Sequence, residues 1–263
     1  MNEFNDNIVL KETDGIRYIQ FKKLLEFGVK HAYTLRGTDF GHACPTSQES
    51  YKKLCDALGL DSKNLINPYQ QHTDIVVCID KYMTTEELTN LDGVITDNKE
   101  LVLSAKNADC IIFLLYDPVK KVIGNIHSGW RGTFKKILEK GIVKMINNYK
   151  CDPKDIYCFI SPSIRKCHFE VDEDVAELCK EIFGFTGKTD EFISLGDIKE
   201  GKQKYYIDTV EINKILMKDI GIEEDHIIDS ELCSLCRKDI LSSYRADGKN
   251  FERATGIISL KGC

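Results

Sequence analysis

The 263-residue sequence lacks any apolar run that approaches the roughly 18 residues a membrane-spanning helix requires. Its first ten residues, MNEFNDNIVL, have neither a basic start nor an apolar core, so a secretory leader is not expected. Positive charge is also in deficit, because 36 lysines and arginines face 42 aspartates and glutamates, a formal net charge of -6. Membranes and nucleic acids are therefore not expected as partners.

Linkers and repeats are lacking as well. The chain has 5 prolines and 18 glycines, and no low-complexity stretch divides it, so we expect a single domain over residues 1–263. The 11 cysteines are odd in number, and several lie inside apolar runs, where a free thiol packs as a small hydrophobe. A reduced cytoplasmic protein is expected rather than a disulfide scaffold.

The spacing of apolar residues predicts both helices and strands. Three- and four-residue steps predict helices near residues 51–58, 130–149, 171–182 and 212–220. Thr46 and Glu49 match a capping box ahead of the first of these. Short β-prone runs are predicted at residues 75–79, 101–104, 111–116, 122–126, 156–160, 205–207, 227–228, 240–244 and 256–260. Successive strands between residues 75 and 126 favour hairpins, so we expect an α+β fold, a layered α/β architecture with mixed β-sheets.

Three residues in polar turns beside predicted strands carry metal-binding chemistry. His72 precedes one strand, Cys110 precedes the buried run 111–115, and His127 lies where a strand meets a helix. Two neutral imidazoles and a thiolate suit tetrahedral zinc with a fourth position open to water or substrate. Their spacing of 38 and 17 residues (110−72 and 127−110) means that only tertiary folding can assemble them. The competing interpretation is two locally packed histidines and a core cysteine.

Arginines near these motifs are candidates for anion binding. Arg131 lies at the expected helix start after His127, where backbone N–H groups and the helix dipole favour an anion. Arg245 and Arg253 are close in sequence and suit bidentate binding of phosphate or carboxylate. The competing interpretation is that these arginines form a solvated surface.

Cys233 and Cys236 form a CxxC motif whose role stays open. Structural zinc or redox chemistry uses this spacing, but the motif has no second ligand pair nearby in sequence. Its flanks also lack the helix start of a thioredoxin-like site.

Several motifs, taken together and in order, resemble those of the YfiH family. They are QQH at 70–72, DGVIT at 92–96, ADC at 108–110, HSGWRG at 127–132, SPSI at 161–164 with FEV at 169–171, and SYR at 243–245 with Arg253. The resemblance covers residues 36–260, and the HxGWRG motif is its most specific part. The family is described both as multicopper polyphenol oxidases of the laccase type and as zinc-dependent purine nucleoside phosphorylases.

The resemblance implies a fold shared with cytotoxic necrotizing factor toxins and a metal, zinc with copper as the alternative, held by His72, Cys110 and His127. It also implies catalysis at these residues: cleavage of adenosine, inosine and methylthioadenosine with phosphate, and deamination of adenosine by zinc-activated water. Arg36 resembles an early family arginine, and with Arg131 and Arg245 it is expected to bind substrate.

The chain departs from the family pattern in loops expected to face the substrate. Asn107 stands where threonine is usual, and Ala246 replaces the second arginine of a Ser-Tyr-Arg-Arg motif. Because the three metal-binding positions match, the sequence defines the metal site better than the substrate.

Three alternatives to a zinc phosphorylase remain at this point. In the first alternative, the protein is an amide hydrolase, for example one that edits cell-wall precursors, and Cys110 is a nucleophile activated by His127. A copper polyphenol oxidase needs several copper centres, and the sequence has few clustered histidines to supply them. In the third alternative, zinc only stabilises the fold. The general acid or base and the oligomeric state are not defined by the sequence.

Overall fold

The computed structural model describes residues 4–262. The strands in this part of the chain are β1 Ile8–Thr13, β2 Ile16–Phe21, β3 Lys30–Thr34, β4 Leu65–Ile66, β5 Val76–Cys78, β6 Gly93–Thr96, β7 Val102–Asn107, β8 Ile111–Asp117, β9 Val122–Ser128, β10 Tyr157–Ile160, β11 Glu170–Asp172, β12 Ile193–Lys199, β13 Lys202–Ile207, β14 Ile227–Asp229 and β15 Ala254–Ser259. The α-helices are α1 Lys22–Glu26, α2 Ser47–Leu58, α3 Trp130–Phe134, α4 Ile137–Tyr149, α5 Glu173–Phe183, α6 Thr189–Phe192, α7 Thr209–Asp219 and α8 Tyr244–Asp247.

Two six-stranded sheets form the centre of the fold. Their strand orders are β1-β2-β3-β15-β7-β4 and β14-β10-β8-β9-β6-β5. Each sheet is mixed: β4 runs parallel to β7 in the first, while β5–β6 and β10–β14 are parallel pairs in the second. The predicted α+β class with mixed sheets is therefore confirmed.

The two sheets pack face to face, and helices cover their outer faces. Alternate residues of β8 point to opposite faces of its sheet: Ile112 and Leu114 join the core between the sheets, whereas Ile111 and Phe113 pack with α4. On the other outer face α2 covers the first sheet. Asn125 on β9 donates to the carbonyls of Leu103 and Gly256 in the facing sheet, at 3.1 and 2.8 Å. These layers fix the strand ends that carry the site.

A third, smaller sheet lies beside this sandwich. Its order is β11-β13-β12, and both of its pairings are antiparallel. Phe183 of α5, Ile207 of β13 and Ile212 of α7 share a separate apolar cluster with Phe134 of α3. The end of α3 is thus anchored in this third layer.

Most predicted elements are present, with three corrections. The helix expected over 130–149 is two helices, because Lys136 is left-handed (φ 58°) and breaks the hydrogen-bonding pattern. The strand expected at 240–244 is a turn, in which Ile240 and Leu241 bond back to the carbonyl of Arg237 before Ser243 caps α8. The capping box at the start of α2 does not form, since Thr46 makes no side-chain cap bond.

Among residues 4–262, the helices are all too short or too polar to cross a bilayer.

Candidate active site

The three candidate ligands lie at one edge of the second sheet. Cys110 immediately precedes β8 and His127 is the penultimate residue of β9; the register pairs Ile112 with His127. The neighbouring strand β6 pairs Gly93 with Ile126, which brings Asp92 to the same edge. The backbone N–H of His127 donates to the carbonyl of Asp92 at 2.7 Å. Strand register alone therefore places a thiol, an imidazole and a carboxylate side by side.

Asp92 also builds the loop that carries His72. Its carboxylate accepts the backbone N–H groups of Gln71, His72 and Thr73 at 3.2, 3.1 and 2.6 Å, and the Thr73 hydroxyl at 2.8 Å. His72 is left-handed, with φ 58°, a conformation that a non-glycine residue holds only with local support. The buried carboxylate supplies that support, so the position of His72 depends on Asp92.

The three side chains converge on one point. Cys110 Sγ lies 3.8 Å from His72 Nε2, and one ligand atom from each of the three residues lies within 4.8 Å of the other two. His127 Nδ1 donates to Asp92 Oδ1 at 2.8 Å, which leaves Nε2 for the cluster. A metal-binding histidine that donates its other ring N–H to a carboxylate is a recurrent arrangement.

This donor set fits a borderline metal such as zinc. Two imidazole nitrogens and one thiolate are ligands that zinc takes in catalytic sites, where a fourth position stays open. Among the described residues, no fourth cysteine, histidine or carboxylate completes this group. The chemistry of the residues therefore agrees with a zinc site of the open kind, and the same donors would accept copper(I).

The electrostatics of the cluster favour a thiolate beside a charged imidazole. Burial opposes ionisation of Cys110, but His127 and His72 outweigh it and lower the pKa of the thiol from 9.0 to about 6. Burial likewise opposes charge on His127, but the Cys110 thiolate and Asp92 raise its pKa to about 9. Burial raises and the bonds from His127 and Thr73 lower the pKa of Asp92, to about 2. The cluster thus presents the deprotonated sulfur that either a metal or a nucleophilic reaction requires.

Gly129 of the HxGWRG motif is in contact with the cluster. A Cβ built on this residue would lie 2.8 Å from His72 Cδ2 and 3.1 Å from Cys110 Sγ. Because these separations are below van der Waals contact, any larger residue would displace His72. The glycine is therefore required by the close packing of the ligands and not by its backbone, which has φ -73°.

The cluster opens into a cavity of about 570 Å³, within the range of small-molecule sites. Aromatic and cationic side chains make up much of the wall: Tyr69, Trp130, Phe169, Tyr244, Phe251, Lys106, Arg131, Arg245 and Arg253. This combination of flat apolar rings and positive charge suits a ligand with an aromatic part and an anionic part.

Two of the three arginines expected to bind substrate line this cavity. Arg131 stacks on Trp130, with its guanidinium carbon 4.1 Å from the ring centroid. Arg245 also lines the cavity. Arg36 is not among the lining residues; its guanidinium bonds the carboxylate of Asp247 and the carbonyl of Lys238. The structure therefore does not bring Arg36 to the cavity.

Two further residues of the site, Lys106 and Asp92, were not among the candidates predicted from the sequence. Lys106 is buried, lines the cavity and donates to Asn67 Oδ1 and the carbonyl of Pro68. Burial and the positive charge of Arg253 lower the pKa of Lys106 from 10.5 to about 7. Lys106 lies two residues beyond the β-prone run predicted at 101–104, and extending that strand to Asn107, as in β7, would have identified a buried lysine. For Asp92, the signal was its place at the start of the DGVIT motif, residues 92–96.

Asp109, next to Cys110, has its carboxylate fully engaged. Its Oδ1 accepts the Ser234 hydroxyl at 2.6 Å, and its Oδ2 accepts the backbone N–H of Arg245 at 2.7 Å. Asp109 thus ties the ligand-bearing turn to residues 234–245.

Comparison with known proteins gives a consistent set of relatives. The profile of the family described as "Multi-copper polyphenol oxidoreductase laccase" matches residues 37–261. Mouse "Purine nucleoside phosphorylase LACC1" is 29% identical over 81% of this chain and 47% of its own length, so the chain spans about half of that relative. A Clostridium acetobutylicum protein, "Purine nucleoside phosphorylase CA_C1699", is 27% identical over 96% of this chain and 99% of its own.

One relative carries a different activity in its name. "Adenosine deaminase RL5", from an unknown prokaryotic organism, is 28% identical over 78% of this chain and 78% of its own. Among solved structures, the Bacillus licheniformis hypothetical protein YfiH superposes with a TM-score of 0.86, covering 98% of this chain and 100% of that one at 24% identity. That likeness shows the fold.

Proposed function

We propose that this chain, which belongs to the multi-copper polyphenol oxidoreductase laccase family, is a zinc-dependent purine nucleoside phosphorylase. Its substrates would be adenosine, inosine and methylthioadenosine, with phosphate as the second substrate. Adenosine deamination would be a further activity, as the name of one relative suggests. The family resemblance drawn from the motifs of the sequence is confirmed by the profile match.

One observation carries the proposal: an open three-ligand cluster faces a cavity with aromatic and cationic walls. His72, Cys110 and His127 would hold the zinc. Bound zinc would supply Lewis acidity toward a substrate or water oxygen. Asp92 contributes by fixing the ring of His127 and the backbone of His72, so that both ligands are held before a metal arrives.

Phosphorolysis requires a phosphate oxygen to bond to C1′ of the ribose while the C1′–N9 bond breaks. The electron pair of that bond leaves with the purine, which takes up a proton. Arg131, Arg245 and Arg253 would bind the phosphate, because guanidinium groups offer paired donors for its oxygens. Positive charge that the protein already holds in place costs no reorganisation during the reaction.

The aromatic residues of the wall would hold the purine. Tyr69 stacks on His42 with ring centroids 5.0 Å apart, and Tyr244 meets Phe251 edge-on at 5.1 Å. Tyr69 and Tyr244 are nevertheless 45% and 56% exposed, so each has a ring surface free to pack on a ligand. Such rings provide affinity for any purine and little discrimination between them.

A second candidate function uses the same residues without metal. The Cys110 thiolate, His127 and Asp92 lie in the order of a nucleophile, a base and the carboxylate that orients it. An amide hydrolase with Cys110 as nucleophile is therefore the alternative. A thiolate held by zinc would not be free to attack, so metal content separates the two functions.

The remaining alternatives have less support. Copper oxidation of polyphenols calls for several clustered histidines, and this cluster supplies two. A purely structural zinc site normally has four protein ligands, whereas this group has three.

Adenosine and phosphate test the proposal directly. Zinc-loaded protein should convert adenosine to adenine, inosine or hypoxanthine, measured by chromatography. The variant His127→Ala should lose this turnover because it lacks a ligand, while His226→Ala, which alters a ring stacked on Tyr157 away from the cavity, should retain it. If loaded wild type leaves adenosine, inosine and methylthioadenosine intact but cleaves an amide, the hydrolase function replaces the phosphorylase.

A further inference from the structure

A second group of metal-binding side chains lies outside the cavity wall described above. The CxxC motif faces a pair of residues from the turn that follows β10, and the four side chains are Cys167, His168, Cys233 and Cys236. One ligand atom from each lies within 4.8 Å of the other three. The second ligand pair that the CxxC motif lacks in sequence is thus supplied from 65 residues earlier in the chain (233−168).

The distances in this group match those of a tetrahedral zinc site. Zinc–sulfur bonds of about 2.3 Å and zinc–nitrogen bonds of about 2.0 Å put two sulfurs about 3.8 Å apart and a sulfur and a nitrogen about 3.5 Å apart. Cys167 Sγ and Cys236 Sγ are 3.8 Å apart. His168 Nδ1 lies 3.2, 3.7 and 3.4 Å from the sulfurs of Cys167, Cys233 and Cys236. One nitrogen therefore faces three sulfurs at the spacing that a central ion would require.

Backbone hydrogen bonds hold the two ligand turns in place. Ser163 donates to the carbonyl of Leu232 at 3.2 Å, and Ser234 donates to that of Ser163 at 3.0 Å. His168 N–H bonds back to the Arg165 carbonyl at 2.9 Å, and Arg237 N–H to that of Cys233 at 3.0 Å. These backbone bonds bring the two ligand-bearing turns together, and the four side chains that they carry supply the donors.

We propose that this group is a second metal site, a closed structural zinc site with three thiolates and one imidazole. Four protein ligands leave no position for substrate, which separates it from the open group at His72, Cys110 and His127. Cys167 and Cys236 are exposed, so the site lies at the surface, where zinc can enter and leave. Binding releases the protons of the three thiols to solvent.

The second site braces the wall of the cavity. Ser234, between the two cysteines of the CxxC motif, donates to Asp109, next to Cys110. The guanidinium of Arg245 reaches the carbonyls of His168 and Glu170 at 3.4 and 3.3 Å. Zinc at the second site therefore fixes the turn that positions Arg245 and the turn before Cys110, without contact with substrate.

Metal counting on purified protein tests this proposal. Wild type should hold about two zinc ions per chain, one for each ligand group. Cys236→Ser should hold about one zinc ion per chain and melt at a lower temperature than wild type, because the closed site loses one of its four ligands. Cys44→Ser, which changes a cysteine outside both groups, should behave as wild type.

A complementary variant leaves the second site intact. The double variant Cys110→Ala/His127→Ala should retain about one zinc ion. When cobalt replaces that zinc, the thiolate ligands should give a charge-transfer absorption band. Adding Cys236→Ser to the double variant should weaken this band. The proposal would be overturned if this double variant retained no tightly bound metal. So would mass spectrometry showing a disulfide among Cys167, Cys233 and Cys236 in freshly purified wild type, or an iron–sulfur chromophore.

Discussion

Asp92 is the residue on which the candidate ligand group depends most widely. Its carboxylate accepts one bond from the ring of His127 and three from backbone N–H groups around His72. One buried side chain thereby positions two ligands that are 55 residues apart (127−72). Residues of this kind act through their neighbours, so a sequence search for ligand types passes over them.

Gly129 offers a sharp test at the same scale. Gly129→Ala should lower kcat/KM by about 100-fold, because a ligand displaced by about 1 Å loses that much. Its φ of -73° suits alanine, so the melting temperature should change little. Gly184→Ala is the matched control, with φ -58° and open space around the new Cβ. Equal activity in the two variants would show that the contact with His72 is unimportant.

Lys106 makes folding stability depend on pH. The unfolded chain keeps this lysine charged up to its ordinary pKa of 10.5, whereas burial lets the folded chain release the proton near pH 7. Between these values the unfolded chain binds more protons, so this residue's contribution to stability rises as pH increases from about 7 to 10.5. Below that window the folded state bears the full cost of a buried charge.

Lys106→Met should remove this contribution. Denaturant unfolding of wild type and variant at pH 7 and pH 9.5 should show wild type gaining stability relative to Lys106→Met at the higher pH. Lys63→Met, at an exposed lysine, should follow wild type. A constant difference between wild type and Lys106→Met across this range would mean that Lys106 keeps its ordinary pKa in the folded protein.

Among the elements, the strands built from long apolar runs were predictable from the sequence. β8 and β9 are buried along their whole length and stand out in the sequence. β1 was missed because two exposed charged residues, Lys11 and Glu12, interrupt its apolar pattern. The turn at Lys136 was missed because apolar residues on both sides keep a helical period across it.

The residues of the candidate site were also predictable only in part. His72, Cys110 and His127 stood out because each lies in a polar turn beside an apolar run, and the structure places them together. Lys106 was hidden inside a strand, and Cys167 and His168 have no local motif. Their proximity to Cys233 and Cys236 follows from the isolated bridge between Ser163 and Cys233, a tertiary contact that sequence spacing does not encode.

Across the whole molecule, the two packed sheets fix the strand ends beside the first ligand group, and loops complete the site around these strand ends. β9 ends at the first ligand group, and β8 and β6 begin there; the segments around residues 167 and 233 meet beside it. Asp109 joins the two parts through Ser234 and Arg245. The second sheet therefore fixes Cys110 and His127, and the loop before β5 supplies His72. The surrounding loops and short helices supply the arginines and aromatic rings that would select a substrate.

Phosphorus NMR of inosine and inorganic phosphate incubated with zinc-loaded protein distinguishes phosphorolysis from hydrolysis. The proposed phosphorolysis predicts ribose 1-phosphate in equal amount to hypoxanthine, with no hypoxanthine formed when phosphate is left out. Free ribose in place of the phosphate ester, or inosine left intact while phosphate is present, would contradict it.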